Sequence, residues 1–307
     1  MRKIFLSALL PILFLQLQAQ NNIPYEEIIY GRKDGVALTM IELKPAANAK
    51  GKAIIRVIAG SWFSSYASAT SKGNLDISKG FYNDKGYTVF EVIVGSQPRF
   101  AIPDQVNGVK RAVRYIRYNA KALGIDPDHL GIEGYSAGGH LALTVATADE
   151  KIDTASKDPV DHVSSRVQAV AVLFPPTDFM NWGTFGNIVN AKELQLAGSV
   201  YGAMDFKKWN NKTRTYDIIS DTAERNKIGK EISPIYFVTP DDPPTLIIQG
   251  DADQLVPLQQ SQTFIVKLKE AGVINNYIIK KGGKHNVDDM QPEVGKEFPD
   301  WFDKYLK

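Results

Sequence analysis

His129-Leu-Gly-Ile-Glu-Gly-Tyr-Ser-Ala-Gly-Gly-His-Leu-Ala-Leu-Thr-Val-Ala-Thr147 is the stretch on which the fold turns. Its first part, His129–Tyr135, has the short apolar build of a buried strand. Its last part, Gly138–Thr147, is an apolar run suited to a packed helix. Between them Gly134-Tyr135-Ser136-Ala137-Gly138 forms a Gly-x-Ser-x-Gly pattern. As a bare pattern it says little, because Gly and Ser are common in turns. Between a strand and a helix it is the context a nucleophilic serine needs. The turn is tight enough that its flanking residues must be small. The serine is carried to the C-terminal edge of the sheet, and the new helix aims its free N–H groups and positive end at that spot, where an oxyanion is stabilised.

Working outward, the same alternation continues. Glu26–Tyr30 and Val36–Leu43 are expected to be strands joined by a turn at Gly31–Gly35. Ala53–Ala59, Tyr87–Val94, Val167–Phe174, Thr245–Gln249 and Asn276–Lys280 are further strand candidates. From Asp104 to Leu123, Val106, Val109, Val113, Ile116, Ala120 and Leu123 recur at three- and four-residue steps, with basic residues between them. That spacing predicts an amphipathic surface helix. Leu258–Ala271 and Val294–Leu306 are the other helices expected after it. Strands alternating with helices imply an α/β fold, a mostly parallel sheet covered on both faces, with an antiparallel edge at the first hairpin. The interval of about 179–235 breaks the rhythm and is expected to be an insertion over the sheet, so residues 21–307 form one domain.

A nucleophilic serine needs a base, and the chain has four histidines: His129, His140, His162 and His285. On a strand–serine–helix elbow the chain order is nucleophile, acid, base. His129 precedes the serine, His140 lies one turn into the following helix, and His162 falls in a polar loop. His285 alone follows a strand and precedes a helix late in the chain, in Lys281-Gly-Gly-Lys-His-Asn286. The acid is expected where the preceding strand ends, in Gly250-Asp-Ala-Asp-Gln-Leu-Val-Pro257. Asp251 and Asp253 both qualify, and spacing does not choose between them. The one that is not the acid is expected to bind backbone N–H groups in the turn.

Composition narrows the function. At 307 residues and 44% hydrophobic the chain can bury a large core. The formal charge is +2, but without Arg2 and Lys3 bases and acids balance at 34 each, so nucleic acid is not an expected partner. There is no cysteine, hence no disulfide, thiolate nucleophile or Cys-type zinc site. Residues 1–20 are expected to be an export signal: Arg2 and Lys3, an apolar run from Ile4 to Leu17, then Ala19. A cleaved signal leaves no membrane span, so a periplasmic or extracellular site is expected. No metal-ligand cluster, dinucleotide fingerprint or P-loop is present in the pattern, so no cofactor or metal is expected.

Five segments carry a family resemblance: Lys33-Asp-Gly-Val-Ala-Leu-Thr39, Gly134-Tyr-Ser-Ala-Gly-Gly-His-Leu-Ala142, Pro176-Thr-Asp-Phe179, Asp241-Asp-Pro-Pro244 and Gly250–Pro257. With them the chain resembles the α/β-hydrolase superfamily, and within it the secreted acetyl-xylan and feruloyl esterase-like group related to hormone-sensitive-lipase-type carboxylesterases. The resemblance covers nearly the whole chain after the signal. It implies the α/β-hydrolase fold with an insertion over the active site, and ester hydrolysis through Ser136, Asp253 and His285. Asp253 is chosen over Asp251 on this ground alone. Such enzymes carry His-Gly-Gly-Gly-Trp after the strand that leads to the oxyanion loop, whereas this chain has Ile58-Ala-Gly-Ser-Trp62. Only Gly60 and Trp62 match, and Ala59 and Ser61 take positive φ less readily than glycine. Ala137 N–H is the expected first oxyanion donor, and Gly60 or Ser61 the second.

Trp62, beside that loop, is an expected substrate contact. Phe63, Tyr66, Trp182, Phe185, Tyr201 and Trp209 are divided between a sugar-binding surface and a small core under the insertion, with the core favoured. Arg99 is placed near the site, facing either an anionic substrate or a surface partner. The expectation is an exported serine esterase acting on a small-molecule or oligosaccharide ester, with acetyl or feruloyl groups as candidates. Oligomeric state is not set by the sequence. Two other readings stand beside it: a serine peptidase of the same superfamily, and a non-catalytic binding protein on a hydrolase scaffold.

Overall fold

The computed structural model describes residues 23–148, 152–189 and 200–307. The expected export signal, residues 1–20, lies outside the described residues.

Eight strands form one sheet: β1 (Glu26–Lys33), β2 (Val36–Leu43), β3 (Ala53–Val57), β4 (Thr88–Ile93), β5 (Leu130–Tyr135), β6 (Ala169–Leu173), β9 (Thr245–Gly250) and β10 (Asn275–Lys280). A separate hairpin pairs β7 (Lys207–Asn210) with β8 (Thr215–Ile218). The sheet order is β1-β2-β4-β3-β5-β6-β9-β10. β2 is antiparallel to both its neighbours, and every pair from β4 to β10 is parallel. The antiparallel edge is tighter than expected. β1 continues to Lys33 through a register shift at Tyr30, and only Asp34 and Gly35 turn the chain. Both have positive φ (48° and 77°), the geometry that lets a two-residue hairpin follow the natural strand twist.

Side chains alternate between two cores. Ile55, Val57, Val170, Val172 and Ile247 face α3 (Ile102–Tyr118), α5 (Ala137–Thr147) and α7 (Leu258–Glu270). Ile54, Ala171, Leu246 and Ile248 face α2 (Lys72–Ile77) and α8 (Val287–Tyr305). Both faces are covered, which is why the central strands are buried at nearly every position rather than at alternate ones. Two short helices, α1 (Tyr66–Ala69) and α4 (Ala120–Leu123), and α6 (Thr222–Glu231) in the insertion complete the set.

Two helices depart from expectation. The Asp104–Leu123 helix is broken at Asn119, and Gly124 at φ 71° ends it. The last helix starts at Val287, not Val294, two residues after His285. Asn286 caps the helix by accepting from Asp288 N (2.9 Å). Met290, Val294, Phe298 and Phe302 then bury one continuous stripe that outweighs the hydrogen bonds the prolines remove.

β3 lies at the switch of the sheet: β4 is laid down on one side of it and β5 on the other. The crevice beyond the C-terminal ends of such strands is where an open α/β sheet binds ligands. Gly60 follows β3, Ser136 follows β5, Asp253 follows β9 and His285 follows β10.

Candidate active site

Ser136 sits between β5 and α5 at φ 53°, ψ −120°, a conformation that is costly for any residue with a Cβ. It is held from both sides. Its N–H donates to Leu173 O (2.9 Å) and its carbonyl accepts from His140 N (2.9 Å). A Cβ on Gly134 would lie 2.4 Å from the Gly138 backbone, and one on Gly138 would lie 2.3 Å from Val57 O. The two glycines therefore let the elbow close on itself and press against the end of β3, where Gly138 N donates to Ala59 O (2.9 Å).

The turns after β9 and β10 lie side by side. A Cβ on Gly250 would meet Gly283 O at 2.0 Å. Ala252 N donates to Gly283 O (3.0 Å), and Gly282 N donates to an Asp251 carboxylate oxygen (2.6 Å). Asp253 points the other way, with its side chain fully buried. Its Oδ1 accepts from Leu255 N and Val256 N (2.9 Å each), and its Oδ2 lies 2.8 Å from His285 Nδ1. His285 Nε2 lies 2.9 Å from Ser136 Oγ. A carboxylate only accepts, so Nδ1 carries the imidazole hydrogen and Nε2 is left to accept from the serine hydroxyl. Phe174, at φ 38° at the end of β6, lies against the imidazole with 4.0 Å between ring centres. The structure thus brings Ser136, His285 and Asp253 into one hydrogen-bonded line and turns Asp251 toward the backbone of the histidine loop.

A pocket of about 330 Å³ opens over this line. Ala59, Gly60, Ser61, Tyr135, Phe174, Leu255 and Val287 line it beside Ser136 and His285, and the buried Arg56 and Glu133 also border it. Two expectations about the oxyanion side need correcting. Gly60 N–H is engaged, donating to Phe63 O (2.9 Å) while Phe63 N donates back to Gly60 O (2.7 Å). Positive φ falls on Ser61 (49°) and Trp62 (58°) rather than on the glycine. Gly60 N–H is therefore not an available donor, and of the two expected second donors Ser61, which also lines the pocket, remains. Trp62 is no substrate contact either. The turn folds its ring under the elbow, 4% exposed, where Nε1 donates to His140 Nδ1 (3.2 Å).

The remaining candidates are engaged elsewhere. His140 is fully buried, and its Nε2–H donates to Ile232 O (2.7 Å). Burial pulls its pKa down to about 4, so it is neutral. His129 binds Asp126, and His162 lies on the surface against Ser156 O. Arg99 donates to Asp34 O (2.7 Å) and lines no wall of the pocket. Phe179, Trp182, Met204 and Phe206 of the insertion pack over α5 and Trp62, and no described residue of 179–235 lines the pocket. Phe185 is exposed, and Trp209 is half exposed against Tyr216. Phe174, Tyr135 and Arg56 border the pocket without having been foreseen, since each looks like an ordinary end or middle of a strand.

Comparison with known proteins agrees with this geometry. Over 209 residues the chain is 26% identical to Esterase LipQ of Mycobacterium tuberculosis, a match covering 68% of this chain and 44% of that protein. It is 31% identical to the acetylxylan esterase of Xylanibacter ruminicola over 146 residues, 48% of this chain and 28% of that one. The chain thus spans less than half the length of these relatives. Among solved structures, a truncated carbohydrate esterase from gut microbiota superposes with a TM-score of 0.71 at 26% identity, covering 93% of this chain and 98% of the other. The fold is that of the α/β-hydrolases. A sequence model of the BD-FAE family matches residues 40–268, and that span, containing both the serine elbow and the Gly250–Pro257 turn, makes the chain a member of the BD-FAE family.

Proposed function

We propose that this chain is a serine carboxylesterase that removes acyl groups from saccharide-borne esters. The observation that carries the proposal is the line Ser136 Oγ, His285 Nε2, His285 Nδ1, Asp253 Oδ2 at an open pocket. Ser136 Oγ attacks the ester carbonyl as His285 Nε2 takes its proton. The resulting oxyanion lies toward the N–H groups of Ala137 and Ser61, and Asp253 steadies the imidazolium. The intermediate collapses, His285 gives its proton to the departing alkoxide, and the acyl group stays on Ser136. Water then attacks the acyl-enzyme, again losing a proton to His285, and the acid leaves as Ser136 regains that proton.

The saccharide alcohol is supported by relatives named as an acetylxylan esterase and a carbohydrate esterase. Export is part of the same proposal, resting on the charged start and apolar run of residues 1–20. The test is a panel of p-nitrophenyl acyl esters, acetylated xylo-oligosaccharides and acyl p-nitroanilides, with mass spectrometry of the secreted chain. Ester cleavage with little anilide cleavage is the expected result. Preferential anilide cleavage would move the reading to a peptidase, and no turnover of any substrate would leave a binding scaffold.

A further inference from the structure

β6 ends by breaking its own alternation. Ala169, Ala171 and Leu173 face the α8 side of the sheet, and Val170 and Val172 face the α5 side. Strand periodicity would send Phe174 the way of Val172. Its φ of 38° reverses that, and the ring joins Leu173 on the α8 side, 2% exposed. A positive φ is costly for a bulky residue and persists only where the surroundings impose it. Here they do. Leu173 O accepts from Ser136 N (2.9 Å), and Phe174 N donates to Ile248 O (2.8 Å). The strained turn is thus tied to the nucleophile on one side and, on the other, to the strand that leads to Asp253.

What the turn delivers is a π face. The ring centres of Phe174 and His285 lie 4.0 Å apart with their planes inclined by 40°. Centres closer than the roughly 4.5–7 Å of ordinary aromatic pairs bring faces rather than edges together. The other neighbours of the imidazole are accounted for. Asp253 Oδ2 lies 2.8 Å from Nδ1 and Ser136 Oγ 2.9 Å from Nε2. Asp251 is turned to Gly282 N, and Arg56 and Glu133, which border the same pocket, pair with each other. Lys284, Asp288 and Asp289, close by along the chain, are exposed to solvent.

The imidazole changes charge during the reaction. As Ser136 Oγ bonds to the ester carbonyl carbon, its proton passes to His285 Nε2 and an imidazolium forms. A cation within about 6 Å of an aromatic centre is attracted by the ring quadrupole, most strongly where water is excluded. Resting on the esterase reading of Ser136, we propose that Phe174 is a positioning residue that acts through His285: its π face keeps the imidazole in line with the serine and stabilises the imidazolium as the proton moves. The neutral resting ring gains less from the same face. The effect therefore falls on the chemical step and not on substrate binding. A residue that only plugged the core would need bulk here, but no π face.

The test replaces Phe174 with mono-, di- and trifluorinated phenylalanine through an amber codon. Fluorine drains charge from the ring face while hardly changing the bulk of the ring. The substrate is whichever p-nitrophenyl ester the native protein cleaves fastest, followed in single turnovers with protein in excess. The limiting rate then reads acylation, and the half-saturating concentration reads binding. The limiting rate is expected to fall with each fluorine, to about a fifth to a tenth of native in the trifluorinated protein, with half-saturation within about twofold. Phe174→Leu, apolar but without a π face, should lose at least as much. Equal limiting rates across the fluorinated series overturn the inference, whatever Phe174→Leu does, and leave the ring as packing alone. A loss confined to half-saturation overturns it as well, by making Phe174 a wall for substrate. Should Phe174→Leu fail to fold, the fluorinated series, nearly unchanged in bulk, still decides. If the native protein cleaves no ester, the esterase reading has failed before any variant is compared, and the inference falls with it.

Discussion

The backbone of Ser136 is where function costs stability most directly. At φ 53°, ψ −120° it sits where a side chain is penalised by roughly 1–3 kcal/mol, and only the surrounding hydrogen bonds keep it there. Ser136→Ala should fold and lose on the order of 10⁶ in kcat on an ester substrate, the loss typical of removing a triad nucleophile. Ser136→Gly should be equally inactive yet unfold about 1 kcal/mol later in urea, because glycine accepts that conformation without strain. The two aspartates of the β9 turn separate in the same way. Asp253→Asn should lower kcat by roughly 10⁴, since an amide no longer fixes the imidazole tautomer. Asp251→Asn should leave kcat within a few-fold and cost about 1 kcal/mol at most, since an amide oxygen can still accept from Gly282 N. Steady-state kinetics and urea melts on both variants check this. At this scale the sequence was half legible. The serine and the base followed from order along the chain, but Asp251 and Asp253 follow the same strand, and only the path of the turn decides which carboxylate turns inward. Trp62 failed for a similar reason: a positive φ at Ser61 and Trp62 reverses the direction of the ring, and neither residue type announces it.

Elements were more legible than residues, because hydrophobic periodicity reports burial and burial is what makes an element. Every strand of the main sheet was foreseen within a few residues. The elements inside the insertion, β7, β8 and α6, were not, since their sequences carry no pattern of burial of their own. His140 joins the insertion to the oxyanion turn, bonded to Trp62 on one side and Ile232 on the other. Its folded-state pKa of about 4 lies below the ordinary histidine value of 6.5. Between these two values the unfolded chain binds the extra proton, so stability rises with pH across the interval. The contribution, roughly 3 kcal/mol, is complete above pH about 6.5 and is lost as pH falls toward 4. His140→Gln keeps a donor for Ile232 O and an acceptor for Trp62 but cannot titrate. Urea unfolding at stepped pH should show the acid-side loss shrinking by about that amount in the variant, even if its neutral-pH stability is lower. An unchanged pH slope would place the acid sensitivity elsewhere.

For the whole molecule, the arrangement of strands decides what the site can tolerate. Arg56, Glu91 and Glu133 tie β3, β4 and β5 together beneath the nucleophile, so Arg56→Met, which leaves two buried carboxylates unpaired, should cost about 3–5 kcal/mol by urea denaturation. The other half of the chemistry hangs on a less protected part. Asp253 and His285 stand on β9 and β10, whose turns are joined through Gly250 and Gly283. Within the main sheet β10 has a single neighbour, β9. The proton-accepting pair therefore moves as one body at the rim of the sheet, while the serine is anchored at its centre. A rim strand opens at a lower free energy than the sheet as a whole. Mild denaturant should thus silence the protein while its circular dichroism is still native, and hydrogen exchange at Asn275–Lys280 should accelerate in step with the lost rate. Catalytic output would then gauge the fastening of one edge strand, long before it reports on the stability of the fold.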